Sequence, residues 1–313
     1  MKPETYSLQT AQTSRRSRVK RSLTTVLLGA ALSLLAPALA EAAPPAPAES
    51  VAAEGYTSFG TVDWDRDGFR DVVTREDTNG NLWLYPGKGG RGPNWDARIL
   101  IGTGWTAYTP FGLTDWDRDG FQDVLTREDT NGNLWLYPGK GGRGPNWDAR
   151  ILIGTGWTAY TPFGLTDWDR DGFQDVLTRE DTNGNLWLYP GKGGRGPNWD
   201  ARILIGTGWT AYTPFGLTDW DRDGFQDVLT RENANGNLWL YPGKGGRGPN
   251  WDARILIGTG WTAYTPFGLT DWDRDGFQDV LTREDTSRIL WLYPGKGGRG
   301  PNWDPRVLIG TGW

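Results

Sequence analysis

The chain has 313 residues, with 33 Lys and Arg against 38 Asp and Glu, 46 glycines, 20 tryptophans, and neither cysteine nor histidine. Without thiols or imidazoles, disulfide scaffolding, Cys/His metal sites and Ser-His-Asp or Cys-His nucleophiles are all excluded. The acidic balance, a net charge of −5, argues against nucleic acid or an anionic membrane as partner.

Residues 1–42 read as a secretory signal peptide. Arg15, Arg16, Arg18, Lys20 and Arg21 precede an apolar run from Val26 to Leu39, too short to span a bilayer. Ala38-Leu39-Ala40 and Ala40-Glu41-Ala42 both fit a cleavage site. The stretch from Ser14 to Lys20 resembles a twin-arginine signal, with Arg18 where that motif takes an apolar residue, and the general secretory route stays open beside it. Residues 43–55 form a Pro/Ala-rich linker. The mature chain is therefore expected to be secreted, with no membrane span. Residues 1–42 carry six Lys/Arg and two Asp/Glu, so the mature chain keeps 27 against 36, a net of −9.

From Tyr56 onward the sequence repeats every 52 residues, giving units 56–107, 108–159, 160–211, 212–263 and 264–313. In the second unit, Tyr108–Thr114 is a first extended segment, followed by an acidic loop from Asp115 to Asp123. Asp123-Val124-Leu125-Thr126-Arg127 is a second strand, rich in β-formers. Asn131-Gly132 suits a type I′ hairpin into Asn133-Leu134-Trp135-Leu136-Tyr137. A glycine-rich loop, Pro138–Pro145, leads to Arg150–Gly154, the fourth strand. No stretch has capped helical periodicity. The expected fold is all-β, a five-bladed β-propeller of four-stranded blades. Leu134–Tyr137 is apolar on both faces, as stacking between two neighbours requires. A solenoid would need polar capping units, and neither end of the repeat region supplies one.

The units drift at the ends. The first has Ser58, Thr61, Val62, Arg70 and Val73 where later units have Pro, Leu, Thr, Gln and Leu. The fourth has Asn233-Ala234, and the fifth has Ser287-Arg288-Ile289 for Asn-Gly-Asn, which is expected to loosen that hairpin. Ring closure is expected to rest on packing of the last blade against the first.

The acidic loop recurs unchanged in its aspartates and glycine. Its positions 1, 3, 5 and 9 are Asp63, Asp65, Asp67 and Asp71; then Asp115, Asp117, Asp119 and Asp123; then Asp167, Asp169, Asp171 and Asp175. The last two copies are Asp219, Asp221, Asp223 and Asp227, and Asp271, Asp273, Asp275 and Asp279. Four carboxylates in nine residues repel one another unless a cation sits among them, and an all-oxygen, many-ligand set favours Ca²⁺. A glycine at position 6 gives the bend, and the backbone carbonyl at position 7 (Phe69, Phe121, Phe173, Phe225, Phe277) is a further candidate ligand. Thr74 and Thr126 stand where an EF-hand needs its bidentate Glu, so this is a different calcium loop. About one Ca²⁺ per unit would add ten charges and bring the mature chain close to neutrality.

Each unit also places tryptophans beside planar polar groups, a pairing that suits sugar rings. The candidate carbohydrate residues are Asn94, Trp95, Arg98 and Trp105; Asn146, Trp147, Arg150 and Trp157; and Asn198, Trp199, Arg202 and Trp209. The last two sets are Asn250, Trp251, Arg254 and Trp261, and Asn302, Trp303, Arg306 and Trp313. Inter-blade packing is the competing role for these tryptophans, and Lys88 and Arg91 in the glycine-rich loop read as solvated charges.

The acidic loop preceded by Phe111-Gly112, with a strand pair ending in Tyr137-Pro138-Gly139, resembles the FG-GAP/VCBS repeats of integrin-like propellers. That resemblance covers about residues 56–313 and implies calcium in the loops. Asn146-Trp147 through Arg150, Ile153-Gly154 and Gly156-Trp157 is similar to the signature of tachylectin-type five-bladed lectins. This second likeness implies one N-acetylhexosamine site per blade.

Catalysis is not expected. The repeat region has only Ser58 and Ser287 as serines, and its paired carboxylates lie in the calcium loops. Five like surfaces suit multivalent binding by a monomer. The partners expected are glycans or, alternatively, a cell-surface protein held by an adhesion or scaffold propeller without sugar. A domain with no ligand beyond calcium is the third reading.

Overall fold

A computed structural model describes residues 55–313; the expected signal peptide, and the expected linker apart from Gly55, lie outside the described residues. Twenty strands form five antiparallel sheets, each a simple meander. The first blade comprises β1 (Tyr56–Val62), β2 (Asp71–Glu76), β3 (Asn81–Tyr85) and β4 (Ile99–Gly102). The second comprises β5 (Tyr108–Thr114), β6 (Asp123–Glu128), β7 (Asn133–Tyr137) and β8 (Ile151–Gly154). The third comprises β9 (Tyr160–Thr166), β10 (Asp175–Glu180), β11 (Asn185–Tyr189) and β12 (Ile203–Gly206). The fourth comprises β13 (Tyr212–Thr218), β14 (Asp227–Glu232), β15 (Asn237–Tyr241) and β16 (Ile255–Gly258). The fifth comprises β17 (Tyr264–Thr270), β18 (Asp279–Glu284), β19 (Ile289–Tyr293) and β20 (Val307–Thr311). Two single 3₁₀ turns, Trp209–Ala211 and Trp261–Ala263, are the only helical segments among the described residues. The fold is a five-bladed β-propeller.

The innermost strand of each blade is an edge strand, which is why it tolerates proline. Pro110 lies in β5 just before a register shift, so no ladder donor is lost in the sheet interior. These strands enclose an axial channel of about 240 Å³, lined by Pro110, Phe111, Gly112, Leu113 and their counterparts.

The middle strands bury both faces, and the reason is topological. Val124 of β6 joins the cluster of Phe59, Trp64, Leu82, Leu84, Ile101 and Trp105 in the first blade. Leu125, the next residue, joins Phe111, Trp116, Leu134 and Leu136, a cluster completed by Val176 of the third blade. Alternate residues of one strand thus feed two different inter-blade cores. No blade has a private core.

Closure follows the same rule. Val72 of the first blade packs with Phe267, Trp272, Leu281, Leu290 and Trp313 of the fifth. Strand β20 pairs with β19 in its own sheet and β1 with β2, so no strand is exchanged across the seam. Ser58, where later blades have proline, donates its Oγ–H to the Phe267 carbonyl at 2.6 Å. Arg283 Nη1 donates to the Tyr56 carbonyl at 2.9 Å, and Trp95 Nε1 to the Ile309 carbonyl at 2.6 Å.

The hairpin between the second and third strands of each blade differs from the type I′ turn expected. Four residues, Asp129–Gly132, connect the paired Glu128 and Asn133, and only the glycine of Asn131-Gly132 takes a positive φ, of 72°. Its N–H donates to the Glu128 carbonyl at 2.8 Å, while Asn131 Oδ1 accepts from the Asn133 N–H at 2.9 Å. The fifth blade keeps this turn rather than loosening it. Arg288 occupies the left-handed position at φ 55°, and its N–H donates to the Glu284 carbonyl at 2.8 Å. A bulky residue there stores strain that the surrounding sheet over-determines.

At Gly132 a Cβ would lie 2.8 Å from Thr158 Cγ2 and 3.1 Å from the Thr158 backbone nitrogen, besides its unfavourable φ. Gly132→Ala is expected to destabilise the protein by about 1–2 kcal/mol. Denaturant melts check this, and an unchanged midpoint would refute it.

Candidate metal centre

The loops between first and second strands bring three carboxylates together in every blade. Asp63, Asp65 and Asp71 each offer an oxygen within 4.8 Å of the others, and so do Asp115, Asp117 and Asp123 and the three further sets. Position 9 is fixed from within. Asp123 is fully buried; its Oδ2 accepts from the Trp116 N–H at 2.9 Å and its Oδ1 from the Gly139 N–H at 2.9 Å. One side chain therefore fastens the acidic loop to the start of the glycine-rich loop. Gly139 must be glycine, since a Cβ would fall 2.1 Å from the Gln122 carbonyl oxygen.

Position 1 holds the bend: Asp115 Oδ2 accepts from the Gly120 N–H at 3.0 Å. Its other oxygen, Oδ1, is buried and has no hydrogen-bond partner, and the same holds for Asp63, Asp167, Asp219 and Asp271. A buried carboxylate oxygen with nothing to bind is costly, and it lies in an all-oxygen acidic cluster. The donor set fits a hard divalent cation such as Ca²⁺.

Position 5 lies outside the converging trio. Asp119 Oδ1 accepts from the Phe121 N–H at 2.9 Å, and its Oδ2 faces Arg195 Nη2 of the next blade at 3.2 Å. Position 4 is a non-glycine residue in the left-handed region: Arg118 has φ 64° and stacks on Phe173 of the next blade, 3.9 Å from the ring centroid. Thr126, at the EF-hand glutamate position, is fully buried with its Oγ1–H bonded to the Thr109 carbonyl at 2.9 Å, which removes it from any metal role.

Lys88 and Arg91 are not free solvated charges. Lys88 pairs with Asp96 of its own blade, and Arg91 reaches Asp273, Asp275 and Asp304 of the fifth blade. Lys88 and Arg143 together hold the Asp96 carboxyl below its ordinary range. The arginine part of this network is invisible in linear order because its partners belong to a different unit. The available signal was the recurrence of Lys, Arg and Asp at fixed places in every glycine-rich loop.

The aromatic candidates regroup across unit boundaries. Trp147 meets Trp105 of the preceding unit, whereas Trp157 of its own unit meets Trp199 in the next cleft. Trp105 is 5% exposed and packs on Tyr137, ring centroids 4.6 Å apart. Trp147 donates its Nε1–H to the Ile101 carbonyl at 2.7 Å, and Asn146 Nδ2 donates to the Gly141 carbonyl at 3.2 Å. Arg150 lies 4.0 Å above the Trp135 ring and donates to the Tyr108 hydroxyl at 2.7 Å. Most of these groups are thus engaged between blades. At the seam, Tyr85, Pro93, Trp95, Asp96, Arg98 and Trp313 line a cleft of about 410 Å³.

Five four-stranded blades in a closed ring, each carrying the same acidic loop at the same strand junction, define a repeat propeller with cation-type loops. The family model described as FG-GAP-like repeat matches residues 63–126, 115–178, 167–230 and 219–282, so the chain belongs to the FG-GAP-like repeat family. Each match runs from one acidic loop through the next, and together they take in all five. No curated protein matches the chain.

Burial raises the carboxyl of Asp71, Asp123, Asp175, Asp227 and Asp279 from 3.8 to about 7, against the opposing N–H donors from Gly87 and its counterparts. Between those values the folded chain keeps protons that the unfolded chain has released, so this contribution to stability falls as pH rises from about 4 to about 7. With chelator present, Tm is expected to drop between pH 5 and pH 7.5. A bound cation would hold the same carboxyls ionised, and the slope in calcium is expected to reverse. Thermal melts at both pH values test this; a Tm rising with pH in chelator would refute it.

Proposed function

We propose that the protein is a secreted, calcium-binding propeller that binds glycans at several equivalent places, and that it acts by binding rather than catalysis. The observation that carries the calcium reading is the buried, unpartnered Oδ1 of Asp63 and its four counterparts, each within a trio of converging carboxylates. The backbone carbonyl of Phe69 and its counterparts, and the position-5 aspartates, would complete the ligand set once the arginine contact relaxes. Secretion rests on the signal-like residues 1–42. Among the described residues no helix is long and apolar enough to cross a membrane.

The glycan reading is supported by the cleft between the fifth and first blades, where an apolar floor of Tyr85, Trp95 and Trp313 meets Asp96 and Arg98. Of the candidate residues lining it, Arg98 is exposed and Trp95 half-buried. Five linked sites raise avidity without any strong single contact. One observation favours the alternative, a protein-adhesion surface. Leu100, Leu152, Leu204 and Leu256 stand 39–40% exposed on the outer strands of the first four blades, an apolar periphery suited to a protein partner.

Calorimetry is expected to count about five Ca²⁺ per chain, with chelation lowering Tm. A site filled at a hundredfold over its dissociation constant adds about 2.7 kcal/mol to stability. Asp115→Ala should remove one site and spare the rest; a count far below five in the unmodified chain would refute the loop reading. For the ligand, a glycan array run in calcium and in EDTA is expected to show binding only in calcium. No binding on the array, together with sugar-insensitive capture of a protein from cell envelopes, would favour adhesion.

A further inference from the structure

Each acidic loop is already touched by a cation of the protein's own. The arginine at the tip of every glycine-rich loop crosses to the acidic loop of the preceding blade. Arg143 Nε donates to Asp65 Oδ2 at 2.6 Å, its Nη2 to Asp67 Oδ2 at 3.3 Å, and its Nη1 to Asp96 Oδ2 at 2.7 Å. Arg195, Arg247 and Arg299 repeat the fork, and Arg91 makes it across the seam to Asp273, Asp275 and Asp304. Asp65 belongs both to this fork and to the converging trio with Asp63 and Asp71.

Such a fork acts on a divalent cation in two opposing ways. It orders the Asp65 carboxylate, and it adds a positive charge beside the cation's seat. The ordering is largely redundant. Asp65 Oδ1 already accepts from the Asp67 N–H at 3.1 Å, and the Asp65 side chain is 3% exposed. The repulsion has no substitute. A single charge roughly 6 Å from a divalent ion, in a water-like dielectric, changes affinity about tenfold. The arginine side chain, 41% exposed, is also free to relax outward while Asp96 retains its pairing with Lys88.

We propose that Arg91, Arg143, Arg195, Arg247 and Arg299 are resident counter-ions, each neutralising the neighbouring blade's acidic loop so that the ring stays closed without calcium, at the expense of calcium affinity. This rests on the calcium reading of the loops. It makes each site answer to a residue in the next blade: the affinity of the Asp63–Asp71 loop is set by Arg143, 78 residues beyond Asp65.

The test compares the unmodified protein with a variant carrying all five Arg→Gln changes and one carrying all five Arg→Lys changes, by calcium titration calorimetry and by Tm in EDTA and in calcium. The glutamine variant is expected to bind calcium about tenfold more tightly and to lose more Tm in EDTA than in calcium. Lysine keeps the charge without the fork, so its calcium affinity is expected to stay within about threefold of the unmodified value. Should the glutamine variant fail to fold in EDTA, Arg143→Gln alone is expected to tighten one site of five by the same factor. Equal Tm losses in both conditions, with affinity unchanged or weakened, would mean that the arginines merely clamp blades, and would overturn the proposal. An unmodified protein that takes up no calcium fails at the first titration, and sinks the loop reading and this inference together.

Discussion

A buried aspartate at the head of each middle strand is the contact on which the rest of the blade depends. Asp123 ends the acidic loop and starts β6, and it is wholly inside the protein. Through Trp116 N–H and Gly139 N–H it ties two chain segments, 7 and 16 residues away, to its own strand. A carboxylate in such a place is tolerable only if its oxygens are satisfied, and the backbone donors supply that satisfaction on two sides. The inter-blade guanidinium pairs instead with the neighbouring carboxylates, Arg195 with Asp117 and Asp119. Asp123 thus supplies the framework of the loop, and the more exposed members of the cluster meet the arginine.

The hydrophobic core is organised around the gaps between blades. Val124 and Leu125, adjacent in sequence, serve different cores, and every core draws on two blades. The polar contacts obey the same logic. Trp147 bonds the outer strand of the preceding blade, Arg143 its acidic loop, and Arg118 stacks on the following blade's Phe173. Burial and charge pairing are both properties of the interface, so a blade in isolation would expose half of each.

Much of this was legible in the sequence. The 52-residue period, the β-rich segments and the apolar run Leu134–Tyr137 point to a propeller, because a sheet stacked on both faces needs such runs; that Val124 and Leu125 serve two different cores is seen only in the structure. Of the four aspartates read as one cluster, positions 1, 3 and 9 do converge, while nothing in chain order sets position 5 apart, because its arginine partner belongs to the next blade. What the chain order hides is which unit lies across each cleft. Asn146, Trp147, Arg150 and Trp157 read as one set because they follow one another, yet the cleft at Trp147 is completed by Trp105. Arg91 reads as solvent-facing for the same reason, its aspartate partners lying in another unit, whereas Lys88 finds Asp96 within its own blade beyond the glycines that flank it. At Asn131-Gly132 the dipeptide favours a type I′ turn, but the four residues between the paired Glu128 and Asn133 decide the geometry.

The seam between the fifth and first blades has a thermodynamic consequence. The bond from Trp95 to the Ile309 carbonyl spans 214 residues, whereas its counterpart from Trp147 to the Ile101 carbonyl spans 46. Because the entropy of joining chain ends grows only with the logarithm of their separation, the longer link is disfavoured by merely about 1.4 kcal/mol. Adding or deleting one unit would shift that figure by a few tenths of a kcal/mol at most. Chain statistics therefore do not fix the number of blades; that is left to the packing of neighbouring sheets, including the seam where Val72 joins Phe267, Trp272 and Trp313.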